Sequence, residues 1–222
     1  MFALPTSFLS FSDARQCHLL CDLAALARSF RTRSARIIWL VQVTSEMFSP
    51  PPKNPSSPDQ TSRLYFDKFV SFARRCLDRW SDLEVTHSLS VYFFSRTYIS
   101  GRGTGAATVN TDAEGRTYED HYFPVLENAT SSDWPSLLPS LKRSFAEYPR
   151  RVDWRCGRGS TRLPSSAQQG NLLEAINITL NVLQYHYMDR DLSRTGNSIV
   201  VVSPGDGVFE VDKDLAGITR QR

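Results

Sequence analysis

The sequence predicts an α/β fold, a mostly parallel sheet flanked by helices, and three observations carry that prediction. Residues 37–43 (Ile-Ile-Trp-Leu-Val-Gln-Val) are almost continuously apolar, the pattern of a strand buried on both faces of a parallel sheet. Tyr65, Phe69, Phe72, Cys76 and Trp80 recur at three- and four-residue steps, the period of a helix with one buried face. Strand-like and helix-like stretches then alternate along the chain, which right-handed crossovers fold onto one sheet.

Residues 1–35 have weak periodicity and a basic end at Arg28, Arg31 and Arg33, so they are set apart as a poorly defined N-terminal segment, and 36–222 as the domain. After the strand at 37–43 come Pro50, Pro51, Pro52, Pro55 and Pro58; proline has no backbone donor, so 49–63 reads as an exposed loop. The helix from Tyr65 follows, its face widened by Phe66, Val70, Ala73 and Leu77. Residues 87–98 form the second strand, rich in aromatic and β-branched side chains around Val91, Tyr92, Phe93 and Phe94. Gly101, Gly103, Gly105 and Gly115 bracket a polar loop, and 116–127 reads as a short strand, antiparallel at the sheet edge.

Trp134, Leu137, Leu138, Leu141 and Phe145 mark a helix, with Ser132 or Asp133 as its cap, Pro135 in its first turn and Pro139 as a kink or a delayed start. Residues 155–169 read as a second loop, and Leu172, Leu173, Ile176, Leu180, Leu183 and Tyr187 as one face of a core helix. A short buried strand follows at Ile199, Val200, Val201 and Val202, then the turn Pro204, Gly205, Asp206, Gly207 and a last helix at 213–219. A further strand is expected after that helix, so the domain is expected to be truncated at its C-terminus.

Composition narrows the function. The chain has 222 residues, 41% hydrophobic and 22% charged, the balance of a globular domain. A net charge of +3 gives no nucleic-acid footprint. No apolar run approaches the roughly 20 residues that cross a bilayer. Four irregularly spaced cysteines (Cys17, Cys21, Cys76, Cys156) fit a reducing setting better than a disulfide framework, and the sequons at Asn128 and Asn177 then read as chance matches.

No catalytic constellation emerges. Gly101, Gly103 and Gly105 lack the Lys-Ser/Thr pair of a phosphate-binding loop and read as a surface loop. Cys17, His18 and Cys21 have no second pair to complete a zinc site. Ser165 and Ser166 read as helix caps, without a partner histidine. The charged string 188–196, with Asp189, Arg190, Asp191 and Arg194, reads as a solvated turn or as a protein-contact patch, to which Arg96 is added.

An open α/β sheet binds ligands beyond the carboxyl ends of its strands, and there Ser45, Glu46, Ser95, Thr97, Ser203 and Asp206 offer oxygens. This arrangement resembles the von Willebrand factor A domain, whose metal site opens with Asp-x-Ser-x-Ser. Here the stretch reads Gln42, Val43, Thr44, Ser45, Glu46, with an uncharged amide where the lead carboxylate belongs. A hard cation loses its anionic ligand, so neither a metal nor another cofactor is expected.

Several strings together are similar to one family: Leu-Tyr-Phe-Asp-Lys at 64–68, Phe-Ser-Arg-Thr-Tyr at 94–98, Gly-Arg-Thr-Tyr-Glu-Asp-His-Tyr at 115–122 and Asp-Trp-Pro-Ser-Leu-Leu at 133–138. The strings at 167–177, 186–196 and 203–212 add to them. They resemble the vacuolar membrane-associated Iml family, the large DEP-domain-containing subunit of the SEACIT complex, called GATOR in animals. The resemblance implies a von Willebrand factor A-like scaffold domain that is not itself an enzyme, in a complex that activates GTP hydrolysis by Rag-family GTPases. That complex represses target-of-rapamycin signalling when amino acids are scarce. Nitrogen permease regulator-like subunits are the implied partners, with the stimulating arginine on one of them, and the implied place is the cytoplasmic face of the vacuole or lysosome, reached through partners. The alternative is a metal-dependent von Willebrand A-type binding module using Ser45, Thr97 and Asp206.

Overall fold

The computed structural model describes residues 35–49, 64–101, 109–155, 160–185, 196–205 and 207–221. Its centre is β1 (Arg36–Gln42), parallel to β2 (Ser88–Gly101) on one side and to β6 (Asn197–Val202) on the other, so that Trp39 lies between Val91 and Val200. Beyond β2 run the antiparallel β4 (Thr117–Ala129) and the two-residue β3 (Asn110–Thr111), and the order is β3-β4-β2-β1-β6. The α/β class stands as expected, but pairing is parallel only around β1. The segment at 117–129 is also a long strand rather than a short one, and it lies inside β3.

Strand length explains one further strand. β2 has 14 residues against 7 in β1, and Gln42 is paired with Phe94, so β2 runs on with an open edge. Backbone donors and acceptors there need partners, and β5 (Ser160–Pro164) supplies them antiparallel, from Thr97↔Pro164 to Gly101↔Ser160. A strand thus replaces part of the loop expected at 155–169.

The sheet separates two unequal layers. Side chains alternate along a strand, so Trp39, Val41 and Val43 face α1 (Tyr65–Asp82) and α2 (Trp134–Arg151), while Ile38, Leu40 and Phe94 face α3 (Leu172–Tyr185). Among the described residues the first layer holds nineteen buried residues and the second four, so most of their apolar stabilisation lies on the α1/α2 side. In α1 the buried face is Phe66, Phe69, Val70, Ala73 and Leu77; Phe72, expected at its centre, is 40% exposed.

α2 begins at Trp134 and continues through Pro139, so that proline does not delay its start. Asp133 makes no side-chain cap to this helix; its carboxylate accepts from the Thr130 N–H (2.8 Å) and hydroxyl (3.1 Å) instead. α3 buries Ala175, Asn177 and Thr179 while Ile178 and Val182 are exposed, so it is less of a core helix than its leucine spacing predicts. β6 is half-exposed rather than buried, because among the described residues only β1 pairs with it. α4 (Lys213–Arg220) is capped by Asp212, whose carboxylate accepts from the Leu215 N–H at 2.8 Å.

Candidate functional site: the strand-end crevice

β1 ends at Gln42, fully buried at the carboxyl ends of the parallel strands, where open sheets take ligands. Its Nε2 donates to the Ala167 carbonyl at 3.0 Å, and its Oε1 accepts from the Ser203 hydroxyl at 2.6 Å. A carbonyl only accepts, so the amide orientation is fixed by its partner. Ser203 Oγ also accepts from the Gly205 N–H at 3.1 Å. Gly170 makes the room: a Cβ there would lie 2.2 Å from Gln42 Nε2.

Ala167 is gripped from its other end as well, since its N–H donates to Glu46 Oε1 at 3.0 Å. Ser45 donates its hydroxyl to Glu46 Oε2 (3.1 Å) and its N–H to the Ser165 carbonyl (3.2 Å). Partial burial pushes the Glu46 carboxyl up, but the accepted bonds, led by that from Ala167, outweigh it and hold the group below its ordinary value. Further along, the Ser165 N–H donates to the Arg96 carbonyl and Asn171 Nδ2 to the Ser95 carbonyl, so residues 165–171 are tied to β1 and β2 along their length. Ser165 and Ser166 therefore lie in this loop, ahead of the residue before α3, and do not cap it.

The oxygens expected around a cation do not converge. Ser95 and Thr97 project to the opposite face of β2: Ser95 Oγ accepts from the Tyr148 hydroxyl at 2.9 Å and Thr97 Oγ1 from Trp154 Nε1 at 2.8 Å, both in the α2 layer. Glu46 and Ser203 are committed to Ala167 and Gln42. Asp206 lies outside the described residues, as do Cys17, His18, Cys21, Gly103, Gly105 and the string at Asp189, Arg190, Asp191 and Arg194. The described residues at the strand ends thus do not fit the ion of the von Willebrand A fold.

Arg96 stands on the same face of β2 as Phe94, with its side chain only 11% exposed. Its guanidinium forks onto Asp120 of β4 (2.8 and 2.9 Å), reaches Glu174 of α3 (2.9 Å) and lies 4.0 Å from the Tyr118 ring centroid. Burial works against its charge, yet Asp120 and Glu174 overcome that and push its pKa up. Beside it Arg116 bonds Asp112 at 2.7 Å and covers Tyr98 at 4.5 Å, lining a cleft of about 380 Å³ that reaches Glu210 and Lys213. Asp120 and Glu174 were not singled out in the sequence: they lie 24 and 78 positions from Arg96.

Sheet order, two-layer packing and a crevice at the end of β1 define a von Willebrand factor A-like domain whose strand ends are closed by side-chain hydrogen bonds. The chain belongs to the family of the vacuolar membrane-associated protein Iml1, vWA-like domain, which matches residues 34–222. It is 39% identical over 198 residues to a DEP domain-containing protein of Dictyostelium discoideum, covering 87% of this chain and 8% of that protein. It is 34% identical over 204 residues to the GATOR complex protein Iml1 of Drosophila melanogaster, covering 87% and 13%. With the vacuolar membrane-associated protein iml1 of Schizosaccharomyces pombe the identity is 28% over 240 residues, covering 92% and 15%. The chain therefore spans 8% to 15% of the length of these relatives.

Proposed function

We propose that this chain is a non-catalytic scaffold domain of a GTPase-activating complex that acts on Rag GTPases and restrains target-of-rapamycin signalling when amino acids are scarce. The observation that carries the proposal is the pairing of Iml1 family membership with a strand-end crevice filled by the domain's own residues. A relative bears the name GATOR complex protein, so assembly with other subunits is the natural role for an α/β domain of this kind. The nitrogen permease regulator-like subunits are the partners proposed, with the GTPase engaged through the complex. In GTPase activation an arginine supplied in trans stabilises developing charge; in this proposal it comes from a partner.

Relatives are named for the vacuolar membrane, and no helix among the described residues is long and apolar enough to cross one. Attachment at the cytoplasmic face of the vacuole or lysosome is therefore proposed to be peripheral and through partners. The proposed contact surface is the charged string with Asp189, Arg190, Asp191 and Arg194. Arg96, buried between Asp120 and Glu174, ties β2 to β4 and α3 instead. Replacing those four residues together by serine is expected to weaken co-elution with the regulator-like pair at least about tenfold, a loss of ~1.4 kcal/mol, without lowering the thermal midpoint. Unchanged co-elution removes this surface from the proposal.

A further inference from the structure

We infer that residues 165–171 are a built-in occupant of the strand-end crevice, with the Ala167 backbone N–H and carbonyl held where an open α/β sheet otherwise binds an external ligand. The inference is independent of which partners the domain has. It rests on one juxtaposition: the first and last positions of the would-be metal stretch, Gln42 and Glu46, both bind Ala167. Gln42 Nε2 takes its carbonyl at 3.0 Å and Glu46 Oε1 takes its N–H at 3.0 Å.

Each non-proline residue carries one backbone donor and one acceptor, and the crevice presents one acceptor and one donor to those of Ala167. The match needs glutamine at 42. An aspartate or glutamate there would set a carboxylate oxygen against the Ala167 carbonyl, two acceptors with nothing between them unless a cation enters. The amide supplies that donor permanently. Its other atom draws in Ser203, and through Ser203 the Gly205 N–H, so the ends of β1 and β6 and the loop before α3 close on one side chain.

Two glycines fit this arrangement. At Gly170 a Cβ would overlap the Gln42 amide at 2.2 Å, and at Gly205 a Cβ would lie 2.7 Å from the Ala167 methyl. Ala167 itself is 1% exposed, so the loop is seated in the crevice rather than lying over it. The domain consequently holds one shape at its strand ends whether or not divalent cations are present.

The test is amide hydrogen exchange on the full chain, for wild type, Gln42→Glu, Gln42→Met and Gly170→Ala, with and without magnesium. Gln42→Glu keeps the shape and turns the Nε2 donor into an acceptor. Exchange is expected to rise about tenfold or more at 165–171 and around 203–205, the cost of leaving a buried group unpaired, with α1 and α2 unchanged. Magnesium is expected to leave wild-type exchange unaltered. If Gln42→Glu does not fold, Gln42→Met and Gly170→Ala report the same segment without added charge. Unchanged exchange at 165–171 in the folded variants, or saturable magnesium binding that alters it in wild type, overturns the inference.

Discussion

An amide and a carboxylate share a shape and differ in what they can donate, and at position 42 that difference decides what the strand ends bind. The glutamine was legible in the sequence as a missing cation ligand; its partners Ala167 and Ser203, 125 and 161 positions away, were not, because nothing in local pattern connects them. Arg96 is similar: a charge in a strand reads as surface until Asp120 and Glu174 meet it. Arg96→Met leaves both carboxylates partly buried without their cation and is expected to cost about 3 kcal/mol in urea unfolding. Arg96→Lys, which keeps the charge and loses the planar fork, is expected to cost about half of that; equal losses would mean the fork is immaterial. His121 carries a pH dependence. Burial pushes its pKa below the ordinary 6.5, against Glu119 and Asp120 and with Arg162. The folded state then binds a proton less readily than the unfolded one, so this contribution to stability is full above about pH 6.5 and lost as pH falls towards the lower folded value. An NMR titration of the imidazole should give a midpoint below 6.5; one above it would mean that Glu119 outweighs burial.

At the scale of elements, periodicity found the helices and strands where apolar residues recur and missed β5, where they do not. The five residues of β5 hold one large apolar side chain, Leu163, which is 47% exposed; the strand exists because β2 outruns β1 and has backbone to satisfy. For α3 the leucine spacing was legible, but not that its buried face would centre on Ala175, Asn177 and Thr179. The two layers should therefore answer truncation differently. Leu141→Ala, in the α1/α2 layer at 0% exposure, is expected to cost about 3 kcal/mol. Val182→Ala, on α3 and 38% exposed, is expected to cost under about 0.5 kcal/mol. Comparable losses in chemical denaturation would contradict an asymmetric core.

For the whole molecule, alternation of apolar strands and amphipathic helices was enough to reach the α/β class, while the sheet's antiparallel half followed from strand lengths that no local pattern states. The site was legible only as a loss, an amide in place of a carboxylate. What fills the crevice became visible when 165–171 came to rest on Gln42 and Glu46. A domain whose ligand position is taken by its own backbone suits constitutive assembly better than ion-gated adhesion. The most direct test of the scaffold proposal is size-exclusion co-elution of the folded chain with the nitrogen permease regulator-like pair, run in magnesium and again in chelator. The account predicts one stable complex of unchanged elution in both. A folded chain that elutes apart from the pair, or joins it only when magnesium is present, contradicts it.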